Sequence, residues 1–291
     1  MSRRVKLVAV TTFVVLIVVF FGLYLRDIDY QTLSDLSFSW PLLILATTIS
    51  LLFRYWGVFI WRTILSDLGS TRLPPFLVLS NVYAKAWMGR YIPGTVAWIG
   101  GKIVLASRLG ISKSRLAVSS LLEAGMQVVA SMCVALLILG LDPRLDVISV
   151  EVKVVMVVLA VASLAILLPP VLNAVLSVAF RVIRRRDAFL ELRTNGKATV
   201  RSFLLYVAGT VLSGSAYFYL TKALYPPINA AEDFWFVVGA FTLAGALGMA
   251  TPLVPSGLGV RDGVQLLLLA IIMPKEIALA VTVASRLWSA A

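Results

Sequence analysis

Long apolar runs separated by short charged connections dominate the chain, and their spacing predicts helices that cross a bilayer. Arg3, Arg4 and Lys6 precede a run from Leu7 to Leu25, about the length a helix needs to span the hydrocarbon core. The opening Ser2-Arg3-Arg4 resembles a twin-arginine signal, but the run is longer than a signal's apolar core. No small-x-small cleavage site follows it, so an uncleaved first helix is expected. Further full spans are predicted from Pro41 to about Ile60, Leu116 to Leu139, Val154 to about Phe180, Phe203 to Leu224, and Phe234 to Ala250.

Two stretches interrupt this pattern. Residues 74–109 are too apolar for a loop and too basic for a span, and Pro93-Gly94 and Gly100-Gly101 break any helix near the centre. A broken hairpin that enters and leaves on one side fits, provided protein or a watered cavity satisfies its irregular backbone. The connections test this. Those holding Asp27, Asp29 and Asp35, then Asp142 and Glu151, then Glu232 and Asp233, are acidic and read as outer. Those holding Arg62 and Arg72, and Arg181 to Arg201, are basic and read as cytoplasmic. The signs alternate only if residues 74–109 cross the membrane zero or two times.

The second interruption is TPLVPSGLGVRDG, Thr251 to Gly263, after which Val264 to Met273 is a half-membrane helix at best. Pro274, Lys275 and Glu276 precede a last segment still apolar at Ala291. Ile92-Pro93-Gly94 aligns loosely with Val254-Pro255-Ser256, and Gly101 with Gly263, at one offset, a weak internal repeat. The expected architecture is an all-α integral membrane protein, a polytopic bundle of about 7–8 spans. Its re-entrant elements fall at about 74–109 and 251–273, within a single membrane domain over residues 1–291 and without a soluble domain. The expected location is the cell (plasma or inner) membrane, with the N-terminus cytoplasmic.

Composition narrows the function classes. Sixty per cent of residues are hydrophobic and 14% charged, more apolar than a water-surrounded domain of this length can hide. The chain has no histidine, which removes imidazole-dependent hydrolysis and acyl transfer. A single cysteine, Cys133, excludes an internal disulfide and a thiolate metal cluster. The expectation is a protein that is not an enzyme and uses no metal or cofactor. The net charge of +12 is spread between apolar runs, so it points to anionic lipid headgroups and not to nucleic acid.

The candidate chemistry sits at the breaks. Gly/Pro-interrupted apolar segments in corresponding halves point to a transporter's binding site, because half-helix ends there present unpaired N–H groups and a positive dipole end to anions. Arg90 and Lys102 flank the first break and Arg261 lies within the second. Taken singly, each either snorkels to the interface or holds an anion; together they favour an anionic ligand. Glu123 is the only carboxylate well inside a full span. At that depth it is expected to face the bundle, either paired with a cation such as Arg108 or Arg286, or protonated. Glycines at 89, 125, 214, 239, 245 and 248, together with Ser213, read as helix-packing positions, and Trp40, Trp61 and Trp235 as interfacial anchors.

Two stretches, GRYIPGTVAWIGGKIVLASRLGISKSRLAVSSLLE (Gly89 to Glu123) and PLVPSGLGVRDG (Pro252 to Gly263), resemble the flippase-like transmembrane family. That family comprises the membrane half of lysylphosphatidylglycerol synthases and stand-alone relatives, and the similarity covers nearly the whole chain. The resemblance carries over Pro93, Gly94, Glu123, Pro255, Gly257, Gly259 and Arg286. It implies a helical bundle with two re-entrant elements that moves a phospholipid or a polyprenyl-phosphate-linked sugar between leaflets. Asp262 stands where many relatives have Glu, Ser256 where Gly is usual, and Ala124 and Gln127 where polar partners often follow the glutamate. The lysine-transferring half has no counterpart in the matched stretches, so aminoacylation is not expected. A glycosyltransferase or aminoacyltransferase is the expected pathway partner. The headgroup site is expected to comprise Arg90, Pro93, Gly94, Lys102, Pro255, Ser256, Gly257, Gly259, Arg261 and Asp262. The competing reading is a secondary transporter of a small soluble anion, which needs a closed aqueous pocket instead of a lateral groove.

Overall fold

A computed structural model describes residues 38–91, 96–147, 150–165, 168, 170–171, 174, 196–251 and 257–290. The predicted first span, Leu7 to Leu25, lies outside them, as does most of the basic connection from Arg181 to Arg201. The described residues are helical and contain no strand.

Among the described residues, four helices are long and apolar enough to cross a membrane: α1 (Trp40–Asp67), α4 (Lys113–Gly140), α6 (Gly196–Leu224) and α7 (Ala230–Ala250). Between α1 and α4 come the short α2 (Phe76–Trp87) and α3 (Val96–Ser107). Helix α5 (Val150–Ala165) follows α4, and α8 (Val260–Leu269) and α9 (Lys275–Ala290) follow α7. The chain is a multi-pass, all-α membrane protein.

The long helices overrun the apolar windows that predict them. Helix α1 continues past Ile60 to Asp67, and α6 begins at Gly196 and not near Phe203. At about 1.5 Å per residue such helices exceed a core about 30 Å thick, so their polar turns extend into the headgroup layer, where hydropathy gives no signal. Local chemistry sets several of the starts. Pro41 lies in the first turn of α1, where a missing N–H costs nothing. Ser112 caps α4 by accepting from the Arg115 N–H at 3.3 Å, and Asn229 caps α7 by accepting from Ala231 at 3.0 Å.

Contacts between helix ends fix the alternation. At one end, Arg201 on α6 pairs with Asp67 on α1, and the Arg115 guanidinium stands beside Gly69. At the other, the Ser39 N–H donates to the Ala223 carbonyl at 2.9 Å, and Arg144 pairs with Asp233 at 3.0 Å. The chain therefore leaves α1 and enters α4 at the same end, and everything between makes no net crossing. The parity argument from loop charge requires the same arrangement.

Helices α2 and α3 are 12 residues each, about 18 Å long and too short to cross. They pack antiparallel: Ala86 faces Gly101, where an added Cβ would stand 3.4 Å from the Ala86 Cα. The two residues are equidistant from Pro93-Gly94, which itself lies outside the described residues. Helix α2 leans on α1 and α3 on α4. The second break differs in register from the sequence reading. Residues 260–263, expected within the interruption, form the first turn of α8, because Asp262 accepts the Gly259 N–H at 2.9 Å and satisfies a donor the helix leaves open. Helices α8 and α9 then form a second antiparallel pair.

Helix α5 shows an apolar, outward face, with Val154, Val158 and Val161 more than half exposed, as expected where lipid replaces water. Trp40 and Trp235 are likewise exposed at helix starts. Trp61 is not an interfacial anchor. It is fully buried and its Nε1 donates to Ser119 Oγ at 3.1 Å. Cys133 is buried in an apolar cluster.

Candidate functional site

A buried ion pair and a partly buried one flank a central cavity. Lys102 on α3 and Glu123 on α4 are both inaccessible and pair directly. Tyr83 on α2 donates to Glu123 Oε1 at 2.6 Å. The Lys102 ammonium also sits 3.8 Å from the ring centre of Tyr83, 4.8 Å from Trp61 and 4.9 Å from Trp98. Each ring face attracts the cation, so the charge is compensated on several sides by α1, α2, α3 and α4. Glu123 is thus paired, and its partner is neither Arg108 nor Arg286. Arg108 lies exposed in the turn after α3, because six residues, about one and two-thirds helical turns, separate it from Lys102 and carry it into the polar end. Lys102, expected to face a ligand anion, is committed to Glu123.

The second pair joins the two helices of the other hairpin. Arg286 on α9 donates to Asp262 Oδ2 at 3.0 Å, the same oxygen that accepts the Gly259 N–H. Gln265 and Ser285 bond at 3.0 Å between the same helices. Gly257 and Gly259 adopt φ of +65° and +84°, a backbone region that L side chains rarely occupy. Gly257 also lies directly against the Gly248 backbone of α7, so closely that no Cβ fits between them. Two glycines face to face let the break fold back on α7.

Between the hairpins and α1, α4, α6 and α7 lies a cavity of about 260 Å³. Trp87 and Trp98 from the first hairpin and Gly257 and Arg261 from the second line it, so both interrupted elements meet there. The Arg261 Nη2 donates to the Tyr217 hydroxyl at 2.7 Å and its guanidinium lies 5.5 Å from that ring's centre. Tyr217 is held between Phe241, stacked at 4.5 Å, and Trp288, edge-on at 5.5 Å. Ser131 and Thr210 face each other across the wall at 3.3 Å. No carboxylate is among the lining residues described.

Of the three cations expected at the breaks, Arg261 lines the cavity and Lys102 stands behind Trp98. The Arg90 side chain, Pro93, Gly94, Pro255 and Ser256 lie outside the described residues. Gly257 lines the cavity, whereas Gly259, Asp262 and Arg286 support the helix that carries Arg261. Sequence reasoning missed the α6 wall, although its signal is present. Tyr206, Thr210, Ser213 and Tyr217 recur at helical spacing and give one polar stripe on an apolar span. Gln127 and Ser131 on α4 repeat it. Of the expected packing positions, Gly214 and Gly239 pack against Val238 and Leu139 of neighbouring helices, and Gly248 against Gly257 and Arg261, whereas Gly125 and Gly245 keep open space; Ser213, Gly214, Gly245 and Gly248 line the cavity.

Over residues 6–291 the chain matches the family model of the lysylphosphatidylglycerol synthase TM region. A comparison with curated proteins finds no match.

Proposed function

Since the chain belongs to the family of the lysylphosphatidylglycerol synthase TM region, whose members are membrane proteins related to lipid modification and transport, we propose that it is a lipid translocase. It moves a phospholipid or polyprenyl-phosphate-linked sugar between leaflets, and it makes and breaks no bond. One observation carries this reading: both interrupted hairpins converge on one cavity, and Arg261 is the one charged residue among its described lining residues. A charged headgroup in hydrocarbon loses its hydration, and the barrier to crossing is that loss. Arg261 restores part of it by two-pronged, charge-assisted hydrogen bonds to a phosphate. Hydroxyl and amide groups of α4 and α6 solvate the remainder of the head while the tails stay in the bilayer. The end bearing Asp67, Arg115 and Arg201 is the cytoplasmic face of the cell membrane in this reading, because basic connections are retained there. A glycosyltransferase or aminoacyltransferase then supplies the lipid.

The test is leaflet exposure of a labelled lipid in reconstituted vesicles. Arg261→Ala removes both prongs and should slow translocation at least about tenfold, since even one charge-assisted hydrogen bond is worth about 1.5–3 kcal/mol, while the protein stays folded. Arg261→Lys should restore little. Unchanged lipid movement in Arg261→Ala, or uptake of a soluble anion in place of lipid movement, would refute the proposal.

A further inference from the structure

The polar groups on the cavity wall are of one kind. Gln127 and Ser213 face it with an amide and a hydroxyl. The Ser131–Thr210 pair adds two further hydroxyls. On the same wall, Tyr206 is 6% exposed and its buried hydroxyl has no hydrogen-bond partner among the described residues. The indole of Trp98 adds apolar surface to the same lining. The two nearby carboxylates are already engaged: Glu123 by Lys102 and Tyr83, Asp262 by Arg286 and the Gly259 N–H.

Building on the translocase reading, we infer that the cavity receives the uncharged, polyhydroxylated part of a phosphodiester headgroup, such as a sugar, and disfavours headgroups that carry an ammonium. Amides and hydroxyls both donate and accept, which matches the alternating demands of sugar hydroxyls. The Trp98 indole offers apolar surface to the C–H groups of the same ring. Arg261, the one cation among the described lining residues, takes the phosphate. An ammonium brought to this depth meets no free carboxylate on the described wall and stands near Arg261, so its desolvation is poorly offset. A site built to hydrogen-bond a hydroxylated group also rejects analogues that lack it, because its own polar groups then go unpaired.

Calorimetric titration of the purified chain in detergent micelles tests this with four probes. They are farnesyl phosphate, farnesyl phosphoglucose, dioctanoyl phosphatidylinositol and dioctanoyl lysylphosphatidylglycerol. Farnesyl phosphoglucose should bind about tenfold more tightly than farnesyl phosphate, the worth of two neutral hydrogen bonds, and lysylphosphatidylglycerol should bind most weakly. Phosphatidylinositol binding level with the phosphoglucose places the recognition in the polyol on either kind of tail, and weaker binding places it in the polyprenyl form. Gln127→Leu and Ser213→Ala should each reduce the preference for the sugar without weakening farnesyl phosphate, whose retained binding reports a folded site. The wild-type ranking is decisive by itself if either variant fails to fold. Equal affinity for both farnesyl lipids, or tightest binding of lysylphosphatidylglycerol, overturns this inference and leaves translocation standing. Failure of all four lipids to bind overturns both.

Discussion

Replacing Lys102 with Met is the most direct perturbation of the buried network. Methionine keeps most of the stem's volume and removes the ammonium, so the change isolates charge. Among the described residues Glu123 then keeps the Tyr83 hydroxyl alone, 2.6 Å from Oε1, at a position 1% exposed. Removing one member of a buried pair costs roughly 3–5 kcal/mol, because the other charge remains desolvated and unpaired. The three aromatic contacts at 3.8–4.9 Å are lost with it, which places the expected loss in the upper part of that range. Against a total stability of roughly 5–15 kcal/mol this is large. Denaturant titration in mild detergent, followed by the fluorescence of Trp61 and its neighbours, should register it. The double variant Lys102→Met/Glu123→Gln removes both charges and keeps an acceptor for Tyr83, so it should recover most of the loss, with a coupling of about 2 kcal/mol or more. A single variant within about 1 kcal/mol of the native chain, or losses that simply add, would refute a structural pair. So would a stable Glu123→Gln protein whose lipid movement no longer responds to a pH gradient, because that result makes the carboxyl a proton carrier.

Gly257→Ala should destabilise the second hairpin by at least about 1–2 kcal/mol from its left-handed backbone alone, with the Gly248 contact adding to that. A lowered thermal midpoint checks it, and an unchanged one contradicts the close approach. Single cysteines at Thr71 and Leu141, both exposed and at opposite ends of the bundle, should react with an impermeant thiol reagent from opposite sides in a chain lacking Cys133. Labelling of both from one side would undo the alternation and the hairpin with it.

The linear chain by itself determines a membrane bundle, since apolar runs of bilayer length have no other stable environment and loop charge orders them. It also marks both interruptions, because proline and glycine act on the backbone within a turn of where they stand. The partner of Glu123 was not legible. Lys102, Arg108 and Arg286 are all cations at plausible depth, and only the packing of α2 against α3 carries Lys102 into the ring of Tyr83, Trp61 and Trp98. Trp61 was misread for the same reason: a tryptophan near a span's end carries one hydropathy whether it meets lipid or a neighbouring helix. The start of α8 depends on a single carboxylate returning to the Gly259 N–H, a bond that a glycine-rich string conceals. The cavity wall belongs to the tertiary structure most of all. Its stripe on α6 is periodic in the sequence, but a polar stripe becomes a site only when two broken hairpins, far apart along the chain, close on the same space.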